Sequence, residues 1–201
     1  MRAVDATRSA KLVDSRPVAE FVRNVPHDSL SVGDTAALRL LFDREYGAEY
    51  GAWEPDTPYG YSPADVHTMV FDDAELVAHV GHQLRTITVG STSVTIAGTG
   101  GVLVDAGWRG TGLGRRAMRH AQDAMRANPS VAFGYLGCRD DVIAFYEATG
   151  WRRIHVVEHC QSWNEPGKTI TASDSPILIY PVHSSLDHWP QGEVDLLGTP
   201  W

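Results

Sequence analysis

Three glycines between an apolar run and an amphipathic segment form the part of this chain best suited to bind a phosphate. Gly110, Gly112 and Gly114 follow the apolar run 101–104 and open the segment 113–128. A strand that enters a helix through a glycine-rich turn directs several backbone N–H groups toward one point, at the positive end of the helix dipole. This pattern predicts a site for a phosphate or a pyrophosphate.

The spacing of the loop differs from that of the common nucleotide-binding loops. Arg115 and Arg116 follow the glycines where a nucleoside-triphosphate loop carries Lys-Ser or Lys-Thr, and the glycines lack the G-x-G-x-x-G order of dinucleotide folds. Residues 109–114 instead read R-x-x-G-x-G, which resembles the pyrophosphate loop of the GNAT superfamily of acetyl-coenzyme A transferases. An ordinary turn between a strand and a helix is the alternative interpretation.

The resemblance implies that acetyl-CoA is the acyl donor and cofactor. Main-chain N–H groups near Val102 and Leu103 would polarise the thioester carbonyl, and Arg109 would brace the loop around the pyrophosphate. The residues expected to bind the cofactor are Val102, Leu103, Val104, Arg109, Gly110, Gly112, Leu113 and Gly114.

The segment 140–151 contains a side chain that could donate a proton. Acidic residues at its start and Gly150 near its end are typical of a short helix. The segment resembles the helix after the fifth strand of GNAT enzymes, and the resemblance implies that Tyr146 protonates the departing thiolate. A half-buried core tyrosine is the alternative.

Within the superfamily, residues 34–201 resemble the aminoglycoside 2′-N-acetyltransferases. His67 and His79 stand at the spacing of that family, and the tail ends on Trp201, as the chains of that family do. The resemblance implies 2′-N-acetylation of an aminoglycoside antibiotic, giving resistance, with the terminal carboxylate of Trp201 reaching the substrate.

The general base cannot be transferred from that family, because the glutamate on its fourth strand is replaced by Gly100. Since an alkylammonium is protonated at neutral pH, some group must still remove a proton. The candidates are the Trp201 carboxylate, His79, His67, Glu54 and Asp56. Tyr146, Trp201 and His79 are therefore the expected catalytic residues, although His79 could equally be a satisfied histidine of a sheet.

The expected substrate-binding residues are Glu54, Asp56, Gly100, Gly137, Asp174, Asp195 and Trp201. Two acidic positions of the aminoglycoside family are absent, at Gly100 and at the residue before Trp201. This loss favours an aminoglycoside with few amines, such as kasugamycin. His79 and His82 are three residues apart on one strand and should point to opposite faces, so no metal site is expected.

Two other functions stay open. One is a GNAT acyltransferase that acts on another amine or amino sugar with a different acyl donor, and the tail 189–192 loosely resembles the nodulation acyltransferases. A long acyl chain would then require an apolar tunnel. The other is a non-catalytic protein that binds CoA or an antibiotic.

The composition is that of an ordinary enzyme with one core. The 201 residues, 43% of them hydrophobic, predict a single domain at 19–201 after a flexible extension at 1–18. A net charge of −8 argues against nucleic acid and suits either a polycationic substrate or simple solubility. No signal or membrane segment is recognised, and Cys138 and Cys160 lack metal spacing, so a cytoplasmic protein is expected. The resemblance implies a homodimer, as its relatives often form.

The order of elements fits the GNAT fold. Helical patterns are predicted at 33–46, 113–128 and 140–150, and strands at 67–71, 76–89, 93–104, 131–136, 151–159 and 176–181. The glycines at 98–101 favour a β-bulge. The predicted class is α+β (α/β/α): a mixed, mostly antiparallel central sheet with splayed central strands, flanked by helices.

Overall fold

The computed structural model describes residues 20–201, and the extension predicted at 1–18 lies outside them. The described part contains ten strands and three α-helices. The strands are β1 (Glu20–Pro26), β2 (Val66–Asp72), β3 (Glu75–Val89), β4 (Thr92–Val104), β5 (Phe133–Gly137), β6 (Arg152–Ile154), β7 (Glu158–Gln161), β8 (Thr169–Ala172), β9 (Ile177–Pro181) and β10 (Val194–Asp195). The helices are α1 (Val32–Tyr50), α2 (Leu113–Arg126) and α3 (Ile143–Glu147).

The strands form one mixed sheet in the order β6-β9-β5-β4-β3-β10-β7-β8. The first half of β3 also pairs with β2, and β1 lies on the outer side of β2. Over residues 20–201 only the pairs β4–β5 and β10–β7 are parallel. The predicted α+β class with a mostly antiparallel sheet is confirmed.

The two central strands separate along their length. Strands β4 and β5 pair only where Ile96, Ala97 and Gly98 face residues 133–135, although β4 continues to Val104. Just beyond the last pair, the register of β3 against β4 shifts, and Gly101 adopts a φ of +58°. Between the matched pairs on either side of the shift, β4 contains one residue more than β3. An extra residue of this kind, a β-bulge, bends the strand and changes the direction of its backbone groups. The predicted splay and bulge are therefore present.

Helices α1 and α2 cover opposite faces of the sheet. Leu38 and Leu41 of α1 pack against Met69, whereas Met118 of α2 belongs to the same cluster as Val70. Successive side chains of a strand point to opposite faces, so the neighbours Met69 and Val70 assign the two helices to the two sides. Within 20–201, none of the helices has the length and apolar character that crossing a membrane would require.

Helix α1 begins with a capping box and extends beyond the predicted end at residue 46. The side chain of Ser31 accepts from the Asp34 N–H at 3.1 Å, and the Asp34 carboxylate accepts from the Ser31 N–H at 3.0 Å. Arg23 of β1 forms an ion pair with the same carboxylate. Hydrogen bonding to Ser31 and the charge of Arg23 together hold the pKa of Asp34 below its usual value despite the opposing effect of burial.

The prediction of one strand at 151–159 is wrong. The segment is divided between β6, which pairs with β9, and β7, which pairs with β10 and β8. These partners lie in opposite arms of the sheet, so the chain leaves one arm and joins the other at residues 155–157. The sequence pattern of a strand shows no break at this crossing, because the chain is extended on both sides of it. The prediction therefore joined the two strands. Strands β1, β8 and β10 were not predicted either.

The bulge generates a test of stability. Replacing Gly101 by Ala places a Cβ in the left-handed region and 3.3 Å from the His79 ring, which is a tight contact. The free energy of unfolding in urea should fall by about 1–2 kcal/mol. Gly33→Ala is the control, because its Cβ has ordinary room and lies in helix α1. An equal loss in both variants would contradict the role assigned to the bulge.

Candidate active site

Two hollows meet where β4 leaves β5. A groove of about 570 Å³ lies between β4, the glycine loop and α3, and an aromatic cavity of about 370 Å³ lies on the other side of β4. Val102, next to the bulge, contributes to the walls of both. The separation of the central strands thus provides two adjoining binding spaces rather than one.

The groove is built to receive a phosphate at one end. Gly110 and Gly112 have φ values of +79° and +83°, and Gly112 is the residue that caps α2. A Cβ at Gly110 would meet no described atom within 4 Å. The first N–H groups of the fourteen-residue helix α2 have no partner within the helix and point out of its end. The residues present therefore fit the pyrophosphate of a coenzyme.

Arg109 ties the glycine loop to its surroundings. Its Nε donates to the Val104 carbonyl at 3.1 Å, and its guanidinium forms an ion pair with Glu45 of α1 at 2.6 Å. The side chains of Leu103 and Leu113 are buried in two different hydrophobic clusters, so these two residues can face a ligand only through their backbone. Val102, Val104, Arg109, Gly110, Gly112 and Gly114 all line the groove.

Tyr146 forms part of the groove wall. Its ring packs at right angles to Phe145 and Trp151, at 5.0 and 6.2 Å between centroids. Burial raises the pKa of the phenol above its usual value, so it stays protonated at neutral pH. Among the described residues its hydroxyl has no hydrogen-bond partner. The nearby Cys138 thiol is also weakly acidic, because burial raises its pKa to about 11.

The aromatic cavity has rings on most sides and no carboxylate side chain in its described wall. The segment after α1 supplies Trp53, Tyr59 and Tyr61, as expected for a loop over the second substrate. The phenylalanine, tyrosine and tryptophan residues of the wall are Phe42, Tyr46, Tyr50, Trp53, Tyr59, Tyr61, Trp163 and Trp201. The net charge of −8 is therefore not concentrated in this space.

Trp201 lies flat against β4 and closes one side of the cavity. Its ring occupies the space in which a side chain at position 98 would stand, and its carbonyl carbon is 2.8 Å from the Cβ position of Gly100. The Arg85 guanidinium stacks on the indole at 4.2 Å, and the indole N–H donates to the Gln83 side chain at 3.0 Å. Glycine at positions 98 and 100 leaves the room that Trp201 occupies.

The other predicted substrate residues lie away from the cavity wall. Glu54 forms an ion pair with Arg39, and Asp56 contacts His27. Asp195 accepts from the Leu197 N–H at 2.9 Å, Asp174 is exposed in the turn before β9, and Gly137 ends β5. Of the predicted substrate-binding residues, Gly100 and Trp201 line the cavity. Their role in binding stays a prediction.

Two histidines of the sheet are buried beside the bulge. His79 Nδ1 is 2.7 Å from the Gly101 carbonyl, and its Nε2 is 3.0 Å from His67 Nδ1. Burial lowers the pKa of His79 to about 4 and that of His67 to about 3, so both rings are neutral at pH 7. Within residues 20–201, no group of three or more His, Cys, Asp or Glu is arranged to hold a metal ion.

Arg85, Gln83 and His27 were missed by the sequence reasoning. Each acts through a residue that is far away in the chain, and none belongs to a local motif. The alternation of β3 could have indicated that Gln83 and Arg85 share a face, but not that Trp201 covers that face.

Known structures with this architecture define the class of the protein. ElaA from Escherichia coli is 18% identical, with a TM-score of 0.57 over 80% of this chain and 99% of that one. The GNAT family N-acetyltransferase YhbS from Escherichia coli, solved with CoA, is 17% identical with a TM-score of 0.57 over 88% and 89%. A GNAT family acetyltransferase from Brucella melitensis, solved with acetyl-CoA, is 13% identical with a TM-score of 0.55 over 88% and 95%. The protein has the GNAT acyltransferase fold.

A family model narrows this class further. The model of nodulation protein A (NodA) matches residues 25–197, which include the glycine loop, α3 and most of the tail. The chain belongs to the nodulation protein A family.

The contacts of Arg85 generate a second prediction. Its guanidinium donates to the carbonyl of Thr199 at 2.8 Å and to the hydroxyl of Ser62 at 2.6 Å. Arg85→Met should lower the free energy of unfolding by about 2–3 kcal/mol, because these acceptors lose a charged donor. The control is Arg152→Met, which removes an exposed pair of 3.8 Å with Asp187 and should cost about 0.5 kcal/mol or less. Equal losses measured by urea unfolding would show that Arg85 does not clamp the tail.

Proposed function

We propose that this protein transfers an acyl group from a coenzyme A thioester to the primary amine of an amino sugar. The observation that carries the proposal is the junction at Val102. On one side lies a groove with a phosphate-binding loop and Tyr146, and on the other lies a cavity walled by aromatic rings. Membership of the nodulation protein A family and the GNAT fold support acyl transfer in general.

The residues on the groove side each have a defined task in this proposal. Gly110, Gly112 and the start of α2 hold the pyrophosphate, and backbone N–H groups at Val102 and Leu103 polarise the carbonyl under attack. Bound coenzyme supplies the acyl group as a thioester. Tyr146 then donates its proton to the departing sulfur. Burial favours a neutral thiol over a thiolate, as the raised pKa of Cys138 illustrates. Burial of the leaving sulfur therefore does not oppose the proton transfer from Tyr146.

The aromatic cavity suits an acceptor that carries one amine and little other charge. Sugar rings present C–H faces that pack on aromatic rings and hydroxyls that need donors and acceptors. Trp53 lies in the cavity wall and can offer its ring as such a packing surface. The resemblance of the tail to nodulation acyltransferases supports an amino sugar and an acyl donor longer than acetyl.

Acetylation of an aminoglycoside at the 2′ amine, giving resistance, is the second candidate. The position of Trp201 against Gly100 supports it, since the resemblance to the aminoglycoside enzymes implies that Trp201 lies at the substrate. The absence of carboxylate side chains from the described cavity wall disfavours acceptors with many ammonium groups, because such charges would lose water without gaining a partner. Kasugamycin, with few amines, fits this candidate better than tobramycin.

The deciding experiment is a thiol-release assay with two sets of substrates. The donors are acetyl-CoA and a long-chain acyl-CoA, and the acceptors are glucosamine-containing oligosaccharides with a free amine, kasugamycin and tobramycin. We expect the highest kcat/KM for a free-amine oligosaccharide, with one acyl group on nitrogen by mass spectrometry. Faster turnover of kasugamycin or tobramycin would overturn the proposal in favour of an aminoglycoside enzyme. Tight coenzyme binding without thiol release from any pair would indicate a binding protein.

The role of Tyr146 is tested by removing its hydroxyl. Tyr146→Phe should lower kcat by about 100-fold or more, the usual contribution of a general acid, while the coenzyme Kd from calorimetry changes little. Tyr180→Phe is the matched control, because its hydroxyl contacts Arg126 outside both hollows. An unchanged kcat in Tyr146→Phe would remove the tyrosine from the mechanism.

A further inference from the structure

Gln83 of β3 lies in the wall of the aromatic cavity, and two neighbours hold its amide in place. In the register of β3 against β4 it pairs with Gly98, the residue that the ring of Trp201 covers. Its side-chain oxygen Oε1 accepts from the indole N–H of Trp201 at 3.0 Å and from the Arg85 guanidinium at 2.7 Å. Donors from two different segments thus meet at one oxygen atom.

The chemistry of these two donors decides which way the amide is turned. An indole N–H and a guanidinium can only donate, so the atom that faces both of them must be the oxygen. Reversing the amide would bring its N–H groups against the N–H groups of Trp201 and Arg85, and both hydrogen bonds would be lost. The amide nitrogen Nε2 of Gln83 is left with its two N–H groups, which have no hydrogen-bond partner within residues 20–201.

Arg85 keeps this orientation because its own guanidinium is fixed. It donates to the carbonyl of Thr199 at 2.8 Å and to the hydroxyl of Ser62 at 2.6 Å, and it stacks on the indole of Trp201 at 4.2 Å. A cation that is bonded to the oxygen of an amide polarises the amide and makes its N–H groups stronger donors. The Gln83 side chain therefore favours a ligand atom with lone pairs and disfavours an ammonium.

Several other polar side chains of the cavity wall are already engaged within the protein. The Ser62 hydroxyl lies 2.6 Å from the Thr199 hydroxyl, and the rings of His67 and His79 contact each other at 3.0 Å. The N–H groups of Gln83 are not engaged, so they can meet an oxygen atom of a ligand. A sugar offers such atoms in its hydroxyls, and its C–H faces suit the aromatic rings of the same wall.

We propose that Gln83 is a specificity-determining residue that donates a hydrogen bond to a hydroxyl oxygen of the amino sugar. The inference rests on the proposed function, and it names the side chain that distinguishes a sugar from an alkyl amine of similar size. Trp201 and Arg85 are the positioning residues that hold the amide in its donating orientation. A hydroxyl bound at Gln83 anchors the sugar and leaves its amine free to reach the thioester beside Val102.

The variant Gln83→Glu separates the donor from the structural role of the side chain. A carboxylate has nearly the same shape and still accepts from Trp201 and Arg85, but it carries no N–H. The variant should therefore unfold at the same urea concentration as the wild type or at a higher one. The matched control is Gln191→Glu in the exposed loop before β10, which adds the same charge outside the wall of the cavity.

Fluorinated sugars report the direction of the hydrogen bond. Each hydroxyl of glucosamine is replaced in turn by hydrogen or by fluorine, which accepts a hydrogen bond but cannot donate one. The kcat/KM of each fluorinated sugar is divided by that of the matching deoxy sugar, so that the effect of fluorine on the amine cancels when two proteins are compared. At the position that Gln83 contacts, this ratio should be about fivefold or more lower in Gln83→Glu than in the wild type, because fluorine then faces a carboxylate instead of an N–H. Gln191→Glu should have the ratio of the wild type.

The outcomes separate this role from the proposed function. A ratio that is equal in the wild type and in Gln83→Glu at every position would overturn the role of Gln83 while leaving the acyltransferase intact. A wild type that releases no thiol with any amino sugar would overturn the proposed function. The same ratios are then taken from the Kd values of the sugars, measured by calorimetry, and equal ratios or a lack of sugar binding would overturn the role of Gln83 as well.

Discussion

Beyond Gly98 and Tyr135 the backbone pairing between β4 and β5 stops, and both hollows exist because of this loss of pairing. Two parallel strands that stayed paired would leave no space between them and no polar edge to face a ligand. The unpaired edge of β4 keeps backbone N–H and C=O groups that must find partners elsewhere. In the proposed reaction, the amides of a pantetheine arm would pair with this edge. The Gly101 bulge turns the same edge toward the cavity.

The tail of the chain completes a site that the central strands leave open. Residues of β10 and the segment after it cross the sheet so that Trp201 reaches β4. Arg85 holds this segment by donating to the carbonyls of Leu196 and Thr199, and it also donates to the hydroxyl of Ser62. Tyr135 packs edge-on against the Trp201 ring and donates to the buried Glu158. Burial raises the pKa of Glu158. The cavity wall is thus made from segments far apart in the sequence, and it is held by polar contacts as well as by apolar packing.

The central part of the fold could be predicted because its signals are local. The glycines at 110–114, the apolar face of α2 and the turn at Gly150 each act within a few residues, and the structure has a helix or loop at each of them. The strand break at 155–157, the coverage of Gly98 and Gly100 by Trp201, and the contact of His27 with His67 all depend on which strands are neighbours. Which strands pair depends on the whole sheet, so the residues of one strand carry little information about its neighbours.

Val102 lines both the groove and the aromatic cavity. In the proposed reaction, an acyl chain that extended past this residue into the aromatic cavity would occupy volume that the acceptor needs. Under the proposed function, selectivity for the donor and selectivity for the acceptor would therefore be coupled. A substitution at Val102 that changed one selectivity would then change the other as well.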